Sequence, residues 1–376
     1  MDHYDERQFL KDLQHLVNID SGTRYVEGLE RIADFFLERY AELGFEAKKL
    51  VFDPAYGPCV QVKSHPGRKD IDLLLMCHMD TVFPQGTTVK RPFYVSGDRA
   101  YGPGVADMKS GTLMAMALAA ELREARPGLS VCVALNCDNE AGSVSSREWL
   151  WDLSRNSRYC LGFESGRPDG SFVKRRKGAA HYLIKMYGKS AHAGIDPRGG
   201  ASAVIEMGNW ICRFADFDRL PLETSLNFGT VKGGTAYNVI PDYAEASVDI
   251  RFQTEEQLEI LEREIKDLCK GPYNPEVRVT AERLARSFPM VENESSEQLM
   301  ELMREAGSGL GMEVTFSNSG GASDTSIASM GGVGSIDACG PVGFNSHNDK
   351  EYILISSVEP RLDLLKEVCC SLQPEV

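Results

Sequence analysis

Two nearly continuous apolar segments constrain the fold of this chain more than any other feature. Residues 71–77 (IDLLLMC) and 130–136 (SVCVALN) have the length of a strand, and apolar side chains at almost every position are typical of strands that helices cover on both faces. Between them, residues 110–123 form a strong helix pattern. Strand, helix and strand favour a parallel pair with a right-handed crossover, so the sequence predicts an α/β, mostly parallel sheet.

Two further helix patterns precede these strands, at residues 9–17 and 28–43. The second is predicted to end at Gly44, because glycine lacks a Cβ and readily adopts the left-handed conformation that ends helices. Much later, residues 307–343 are rich in Gly and Ser. There we expect tight loops that bring backbone close to a ligand rather than core elements.

A change of character after residue 178 indicates an inserted unit. Strand patterns at 180–187 and 244–252 and a helix pattern at 201–214 are followed by a capping box, Thr254 with Gln257, which opens another helix. With a last strand at 276–280 these elements have ferredoxin-like α+β order. We therefore predict a discontinuous main domain, residues 1–178 plus 287–376, interrupted by a second domain at 179–286.

Charge and composition exclude several classes of partner. The 376 residues include 41 Lys and Arg against 55 Asp and Glu, a formal charge of −14, which repels phosphate backbones and anionic lipid. We therefore expect no nucleic-acid partner and no membrane partner. The longest apolar run, residues 113–120, is also far short of the roughly 20 residues that span a bilayer. Ten cysteines without a C-x-x-C pair, and no visible export signal, predict a cytoplasmic protein.

Polar residues follow the two apolar strands directly. His78 and Asp80 come after the first, and Asp138 and Glu140 come after the second. Asp107 lies in a glycine-containing loop at the entrance to the intervening helix. In open parallel sheets ligands bind outside the carboxyl ends of the strands, so these residues are expected to share one crevice. Imidazole with carboxylates suits zinc, cobalt or manganese better than calcium, although a single His-x-Asp after a strand more often has no metal.

Several short motifs occur in a fixed order along the chain. They are HMD at 78–80, YGPGVADMKSG at 101–111, DNEAGS at 138–143, FESG at 163–166, RKG at 176–178, SAHAG at 190–194, GGTAYNVIP at 233–241, Arg251, GGASD at 320–324 and NSHNDKEY at 345–352. Over nearly its whole length the chain thereby resembles the two-zinc exopeptidase family of glutamate carboxypeptidases, aminoacylases, acetylornithine deacetylases and succinyl-diaminopimelate desuccinylases. It is most similar to the glutamate carboxypeptidases.

The resemblance implies a metal-dependent amidohydrolase or exopeptidase with a pair of zinc ions, which cobalt or manganese could replace. One zinc would be held by His78 and Glu164 and the other by Glu140 and His347, with Asp107 bridging them. Asp80 would accept the free N–H of His78 and so fix the tautomer of that imidazole. The resemblance also implies a cis peptide bond between Asp107 and Met108.

The inserted domain corresponds to the lid and dimerisation domain of these enzymes. By this resemblance the chain forms a homodimer through residues 179–286, and His192 stabilises the oxyanion in the partner's active site. Asn238 matches the amide donor, Arg251 matches the arginine that binds the free carboxylate of the substrate, and Gly321 lies with them among the substrate-binding residues. The simpler alternatives are that His192 only stabilises a turn and that Arg251 only pairs with Asp249.

One position departs from the family pattern. The family has Asp-Glu-Glu where this chain has Asp138, Asn139 and Glu140, and the first Glu of that motif is the general base. A carboxamide takes up no proton near neutral pH, and loss of a general base typically costs about 10²- to 10⁴-fold in rate. We therefore expect a small N-acyl amino acid or dipeptide with a free carboxylate as substrate, with hydrolysis that is weak unless Asp138 or the metals alone activate the water. Two alternatives are an amide-forming or acyl-exchange enzyme and a non-catalytic acyl-amino-acid-binding protein.

Overall fold

The computed structural model describes residues 4–215, 220–221 and 223–372. The helices of this part of the chain are α1 (Glu6–Val17), α2 (Val26–Glu42), α3 (Thr87–Lys90), α4 (Ser110–Ala125), α5 (Arg147–Ser154), α6 (Ala203–Ala215), α7 (Glu255–Lys270), α8 (Glu294–Leu310), α9 (Thr325–Met330) and α10 (Val358–Ser371). The strands are β1 (Glu46–Leu50), β2 (Cys59–Lys63), β3 (Ile71–His78), β4 (Tyr94–Ser96), β5 (Arg99–Tyr101), β6 (Val131–Asn136), β7 (Ser157–Gly162), β8 (Phe172–Arg176), β9 (Gly178–Tyr187), β10 (Ser225–Gly233), β11 (Tyr243–Phe252), β12 (Arg278–Ser287), β13 (Phe316–Ser319), β14 (Gly334–Ile336), β15 (Gly343–Phe344) and β16 (Tyr352–Leu354).

The chain folds into two compact units. The first consists of Met1–Arg175, Met290–Ser319 and Ser323–Val376, and the second of Arg176–Pro289 with Gly320–Ala322. The prediction concerns domains that fold independently, and a compact unit need not fold independently. The boundaries at 178/179 and 286/287 therefore stay a prediction.

The first unit is built on a central sheet with the strand order β1-β2-β6-β3-β7-β14 in the described residues. β3 is parallel to both β6 and β7, and β14 is parallel to β7, whereas β2 pairs antiparallel with β6 and β1. Every residue of β3 and β6 is buried. The predicted mostly parallel α/β sheet is confirmed, including the helix α4 between β3 and β6. The predicted helix end at Gly44 is also confirmed, with φ of +76°.

A smaller sheet in the same unit joins two segments that are far apart in sequence. Its described strands have the order β15-β16-β5-β4. Aromatic rings pack against one another across it: the ring centroids of Phe344 and Tyr352 are 4.8 Å apart, those of Tyr352 and Tyr101 5.3 Å, and those of Tyr101 and Tyr94 4.6 Å. The sheet thereby holds the chain before residue 102 against the chain around residue 350.

The second unit has the element order β9, α6, β10, β11, α7, β12 and the strand order β10-β11-β9-β12. This is the ferredoxin-like α+β arrangement that the sequence predicts. Along β11, Ala246, Val248, Ile250 and Phe252 are buried, and they pack in one core with Trp210 of α6. The capping box is confirmed as well, since the Thr254 side chain accepts from the Gln257 N–H.

The expectation of loops alone in residues 307–343 was wrong. This stretch contains the end of α8, β13, α9 and the buried strand β14, which extends the central sheet beside β7. β14 has three residues, which are too few to show the hydrophobic pattern by which a strand is predicted from sequence. Residue 334 must also be a glycine, because a Cβ there would come within 2.9 Å of the backbone of Ser295.

None of the helices in the described residues has the length and apolar character needed to cross a bilayer.

Candidate metal centre

The carboxyl ends of two parallel strands begin the site. β3 ends at His78, which lies opposite Asn136, the last residue of β6. Parallel neighbours end at the same edge of a sheet, so the residues that follow β3 and β6 meet there. Glu140 lies in the short 3₁₀ turn that follows β6, Asn139–Ala141.

Asp107 lies between two histidines. Its Oδ1 is 3.1 Å from His78 Nε2, and its Oδ2 is 3.1 Å from His347 Nε2. One oxygen is thus directed to each imidazole, which is the arrangement that a carboxylate shared by two cations requires. The peptide bond from Asp107 to Met108 is cis, as the resemblance implied.

Each histidine also lies beside a glutamate. Glu164 Oε1 is 3.7 Å from His78 Nε2, and Glu140 Oε1 is 3.4 Å from His347 Nε2. The structure therefore brings together all five residues for which the resemblance implied a ligand role, in the two groups that it implied. Their roles as ligands stay a prediction.

Residue chemistry and burial fit a pair of cations at this place. The ligand atoms of His78, Asp107 and Glu140 lie within 4.8 Å of one another. Glu140 Oε1 is buried and makes no hydrogen bond to the described protein. The contact of this oxygen with His347 Nε2, at 3.4 Å, is not a hydrogen bond, and a buried carboxylate oxygen that lacks one is costly unless a cation reaches it. Imidazole nitrogen and carboxylate oxygen are ordinary zinc ligands, and therefore the donor set suits zinc.

The same crowding shifts the pKa values of the protein groups. Burial disfavours the charged form of His78, but the carboxylates of Asp107, Asp80 and Glu164 raise its pKa well above the ordinary value. Asp107 and Glu140 raise the pKa of His347 to about 10. These carboxylates therefore strongly favour positive charge at the two imidazoles. Metal cations bound there would balance the same negative charge.

Asp80 orients His78 and also holds the turn that carries Glu140. His78 Nδ1 is 2.9 Å from the main-chain carbonyl of Asp80 and 3.4 Å from its Oδ1. The carboxylate accepts the N–H groups of Asn139 and Glu140, both at 3.1 Å, and the Thr23 hydroxyl at 2.7 Å. The sequence predicts the side chain as acceptor for His78. In the structure the nearer acceptor is the carbonyl, because the carboxylate is occupied by the turn.

Asp138 accepts hydrogen bonds from the chain that follows the turn of Asn139 and Glu140. Its Oδ2 accepts the Ser145 N–H and its Oδ1 accepts the Ser146 hydroxyl, both at 2.6 Å, and the residue is fully buried. Burial raises the pKa of Asp138 above its usual value. Both oxygens of Asp138 thus already accept a hydrogen bond. Asn139 is half-buried in the turn between Asp138 and Glu140.

Glu351 is a residue to which the sequence reasoning gave no role. Its carboxylate is buried and accepts three backbone N–H groups, those of Gly104 at 3.1 Å, Ala106 at 2.8 Å and Asp107 at 3.0 Å. Burial, together with the charge of Asp107, raises the pKa of Glu351 to about 7, although the N–H groups oppose this shift. In the sequence Glu351 is visible only as an acidic residue four positions after His347. That signal does not indicate which part of the chain its carboxylate contacts.

The remaining predicted residues lie in the second unit. His192 is exposed, and its Nδ1 accepts the N–H groups of Gly194 and Ile195 at 3.1 and 3.2 Å. The carbonyl of Asn238, also exposed, accepts the Ala193 N–H.

Arg251 donates from Nε to Asp249 Oδ2 at 2.9 Å and from a terminal nitrogen to the Gly320 carbonyl at 3.4 Å. The Gly321 carbonyl accepts from Arg176 at 3.1 Å. The turn contact of His192 and the Arg251–Asp249 pair, which are the simpler alternatives for these two residues, are therefore both present. The catalytic and substrate-binding roles of His192, Asn238, Arg251 and Gly321 stay predictions.

Known proteins are similar to this chain over most of its length. Residues 74–370 match peptidase family M20/M25/M40. Carboxypeptidase G2 of Pseudomonas sp. (strain RS-16) is 31% identical over 367 residues, covering 94% of this chain and 86% of the relative. Succinyl-diaminopimelate desuccinylase of Magnetococcus marinus is 25% identical over 361 residues, covering 91% and 93%. The M20 family metallo-carboxypeptidase Sso-CP2 from Sulfolobus solfataricus matches in fold, with a TM-score of 0.76 at 18% identity and coverage of 96% and 98%.

Proposed function

Because the chain belongs to peptidase family M20/M25/M40, whose members are metal-dependent peptidases and amidohydrolases, we propose that it acts on a small N-acyl amino acid or dipeptide with a free carboxylate. The observation that carries the proposal is the Asp107 carboxylate, with one oxygen 3.1 Å from each of two histidines. No other cluster of metal-ligating residues of this kind is found in the described residues.

The proposed ligands of the metal pair are His78 and Glu164 for one ion, Glu140 and His347 for the other, and Asp107 for both. When bound, zinc supplies Lewis-acid activation of the attacking water and of the scissile carbonyl; cobalt or manganese are alternatives. Asp80 contributes by orienting His78 and by holding the backbone of Glu140.

The free carboxylate of the substrate is assigned to Arg251. Asp249 engages Nε of this guanidinium, which orients the rest of its planar fork. Such a fork suits bidentate binding of a carboxylate. His192, with Nδ1 engaged by its own turn, has Nε2 left for the developing oxyanion, and Asn238 and Gly321 complete the proposed substrate contacts.

Asn139 determines how fast the proposed hydrolysis is. Its amide can hold a water by hydrogen bonds but cannot accept a proton from it. The hydrogen bonds of Asp138 make that carboxylate a poor substitute. We therefore propose weak hydrolysis. The same position favours the second candidate function, an amide-forming or acyl-exchange enzyme or a non-catalytic acyl-amino-acid-binding protein, because suppressed water activation protects an amide.

The test compares the native chain with Asn139→Glu and Asn139→Gln, each assayed for metal content and for turnover of a panel of N-acyl amino acids. Asn139→Glu restores a carboxylate and should raise hydrolysis by about 10²-fold or more. Asn139→Gln has the same length without a base and should not.

Two results would contradict these proposals. Native turnover of about 10 s⁻¹, the median for enzymes, would mean that another group takes the proton. An Asn139→Glu chain that binds two zinc ions but hydrolyses none of the panel would favour the second candidate function.

A further inference from the structure

We propose that Glu351 is a positioning residue of the metal centre, whose buried carboxylate holds the backbone of Asp107 so that this residue can bridge two cations. The inference rests on the proposed function, because it requires that the cluster around Asp107 binds metal. It assigns a role to an acid that is neither a proposed ligand nor a substrate contact.

The contacts of Glu351 are directed to one loop. Oε1 accepts the N–H groups of Ala106 and Asp107, and Oε2 accepts that of Gly104. The residue is 1% exposed, so water hardly competes for these hydrogen bonds. An ionised carboxylate accepts stronger hydrogen bonds than a neutral group does, and these three hold the loop at Gly104, Ala106 and Asp107.

The position of Glu351 in the fold links the two halves of the site. It lies four residues after His347 and directly before β16, in which Tyr352 pairs with Tyr101 of β5. β5 leads into the loop that carries Asp107. The segments that supply Asp107 and His347 are therefore joined both by the small sheet and by the Glu351 carboxylate.

Because Asp107 contacts both histidines, its position affects both proposed cation sites. Its two oxygens lie 3.1 Å from His78 Nε2 and 3.1 Å from His347 Nε2, so a tilt of its backbone moves both oxygens at once. Loss of the Glu351 contacts should therefore weaken both cation positions together. A residue that served only to satisfy buried N–H groups would instead affect the stability of the protein without changing its affinity for metal.

The experiment titrates zinc into the chelator-treated full chain by calorimetry and records the absorption spectrum of the cobalt-loaded protein. The variants are Glu351→Gln, Glu351→Ala and, as a matched control, Glu121→Gln. Glu121 is also buried, but it lies on α4 and contacts Lys366 at 3.3 Å. In Glu351→Gln one oxygen remains, while the amide nitrogen brings a second donor toward the backbone N–H groups.

We expect Glu351→Gln to weaken zinc binding at both positions by about 10- to 100-fold, the usual effect of losing a group that orients a metal ligand. Glu351→Ala should weaken it at least as much, both variants should change the cobalt spectrum, and Glu121→Gln should bind zinc within about twofold of the native chain. Native zinc affinity and an unchanged cobalt spectrum in Glu351→Gln, with only a lower melting temperature of the metal-free protein, would overturn the inference. Since Glu351→Gln is nearly isosteric, it decides the question even if Glu351→Ala does not fold. A native chain that binds no zinc would overturn the proposed function itself, which is a distinguishable result.

Discussion

Carboxylates have two different kinds of partner in this molecule, as Asp107 and Asp20 show. Asp107 is surrounded by imidazoles, and its charge can be balanced by cations. Asp20 accepts the N–H groups of Gly86 at 2.6 Å and Thr88 at 2.9 Å, at the start of the short helix α3. In that role a carboxylate satisfies backbone donors that a helix leaves free and contributes to stability only while it is charged.

The contacts of Asp20 predict a pH dependence of folding. Burial alone would raise the pKa of Asp20, but the N–H groups of Thr88 and Gly86 lower it below its ordinary 3.8. A lowered pKa in the folded state means that the contribution is present above the unfolded-state pKa and is lost as pH falls through the folded-state pKa. Asp20→Asn should therefore destabilise the chain near pH 6, and this difference should shrink below about pH 4.

Urea unfolding of the native chain and of Asp20→Asn, measured between about pH 2.5 and 6, checks this prediction. Asp70→Asn removes an equal charge at an exposed position and serves as the control. A difference between native and Asp20→Asn chains that grows as the pH falls would have the wrong sign for the contacts described.

Among the helices and strands, the packing of α4 against β7 depends on one glycine of the YGPGVADMKSG motif. A Cβ at Gly111 would lie 2.0 Å from the carbonyl oxygen of Phe163, which directly follows β7. Backbone atoms cannot move aside as the end of a flexible side chain can. The glycine thus lets the first turn of α4 lie directly on the chain that leads to Glu164.

Gly111→Ala should consequently lower the free energy of unfolding by about 1 to 3 kcal/mol or more, the usual cost of overpacking a core. Gly128→Ala is the matched control, because a Cβ at residue 128 would have no atom within 4 Å and the backbone there is not left-handed. The control should change stability by no more than about 0.5 kcal/mol. Equal stability of the two variants, measured by urea denaturation, would contradict the packing argument.

For the molecule as a whole, the expected homodimer through the second unit needs an exposed apolar surface on that unit. Helix α6 offers one, since Val204 and Ile205 are 40% and 67% exposed. These residues lie in the region for which the family resemblance implies dimerisation, whereas the face of α6 with Trp210 is buried in the core of the unit.

We predict that the chain sediments at twice its 41.5 kDa and that Ile205→Asp shifts it to the monomer. Placing a charge in a dehydrated apolar contact is costly, which is why one substitution should suffice. Ile260→Asp, on the exposed side of α7 with the isoleucine 44% exposed, is the control and should stay dimeric. A native monomer at micromolar concentration would leave His192 without its proposed role in a partner's site.

Elements whose buried residues follow a regular hydrophobic pattern could be predicted from the sequence alone. The apolar runs of β3 and β6 predicted buried parallel strands, and alternation along β11 predicted one buried face, because side-chain period follows directly from backbone geometry. The family resemblance that the ordered motifs carry likewise predicted that His78, Asp107, Glu140, Glu164 and His347 form one group. The period depends on residues close together in the chain, and the resemblance depends on the identity and order of the motif residues.

The atoms that meet in the site could be learned only from the folded chain. His78 and His347 lie far apart in sequence, yet one carboxylate lies between them. His347 adopts φ of +63°, a conformation that no local pattern predicts for histidine. The occupied oxygens of Asp138, the three N–H groups on Glu351 and the burial of β14 likewise arise where distant segments pack together. Hydrogen-bond partners of this kind are set by the approach of separate parts of the chain, and therefore periodicity and motif spacing do not record them.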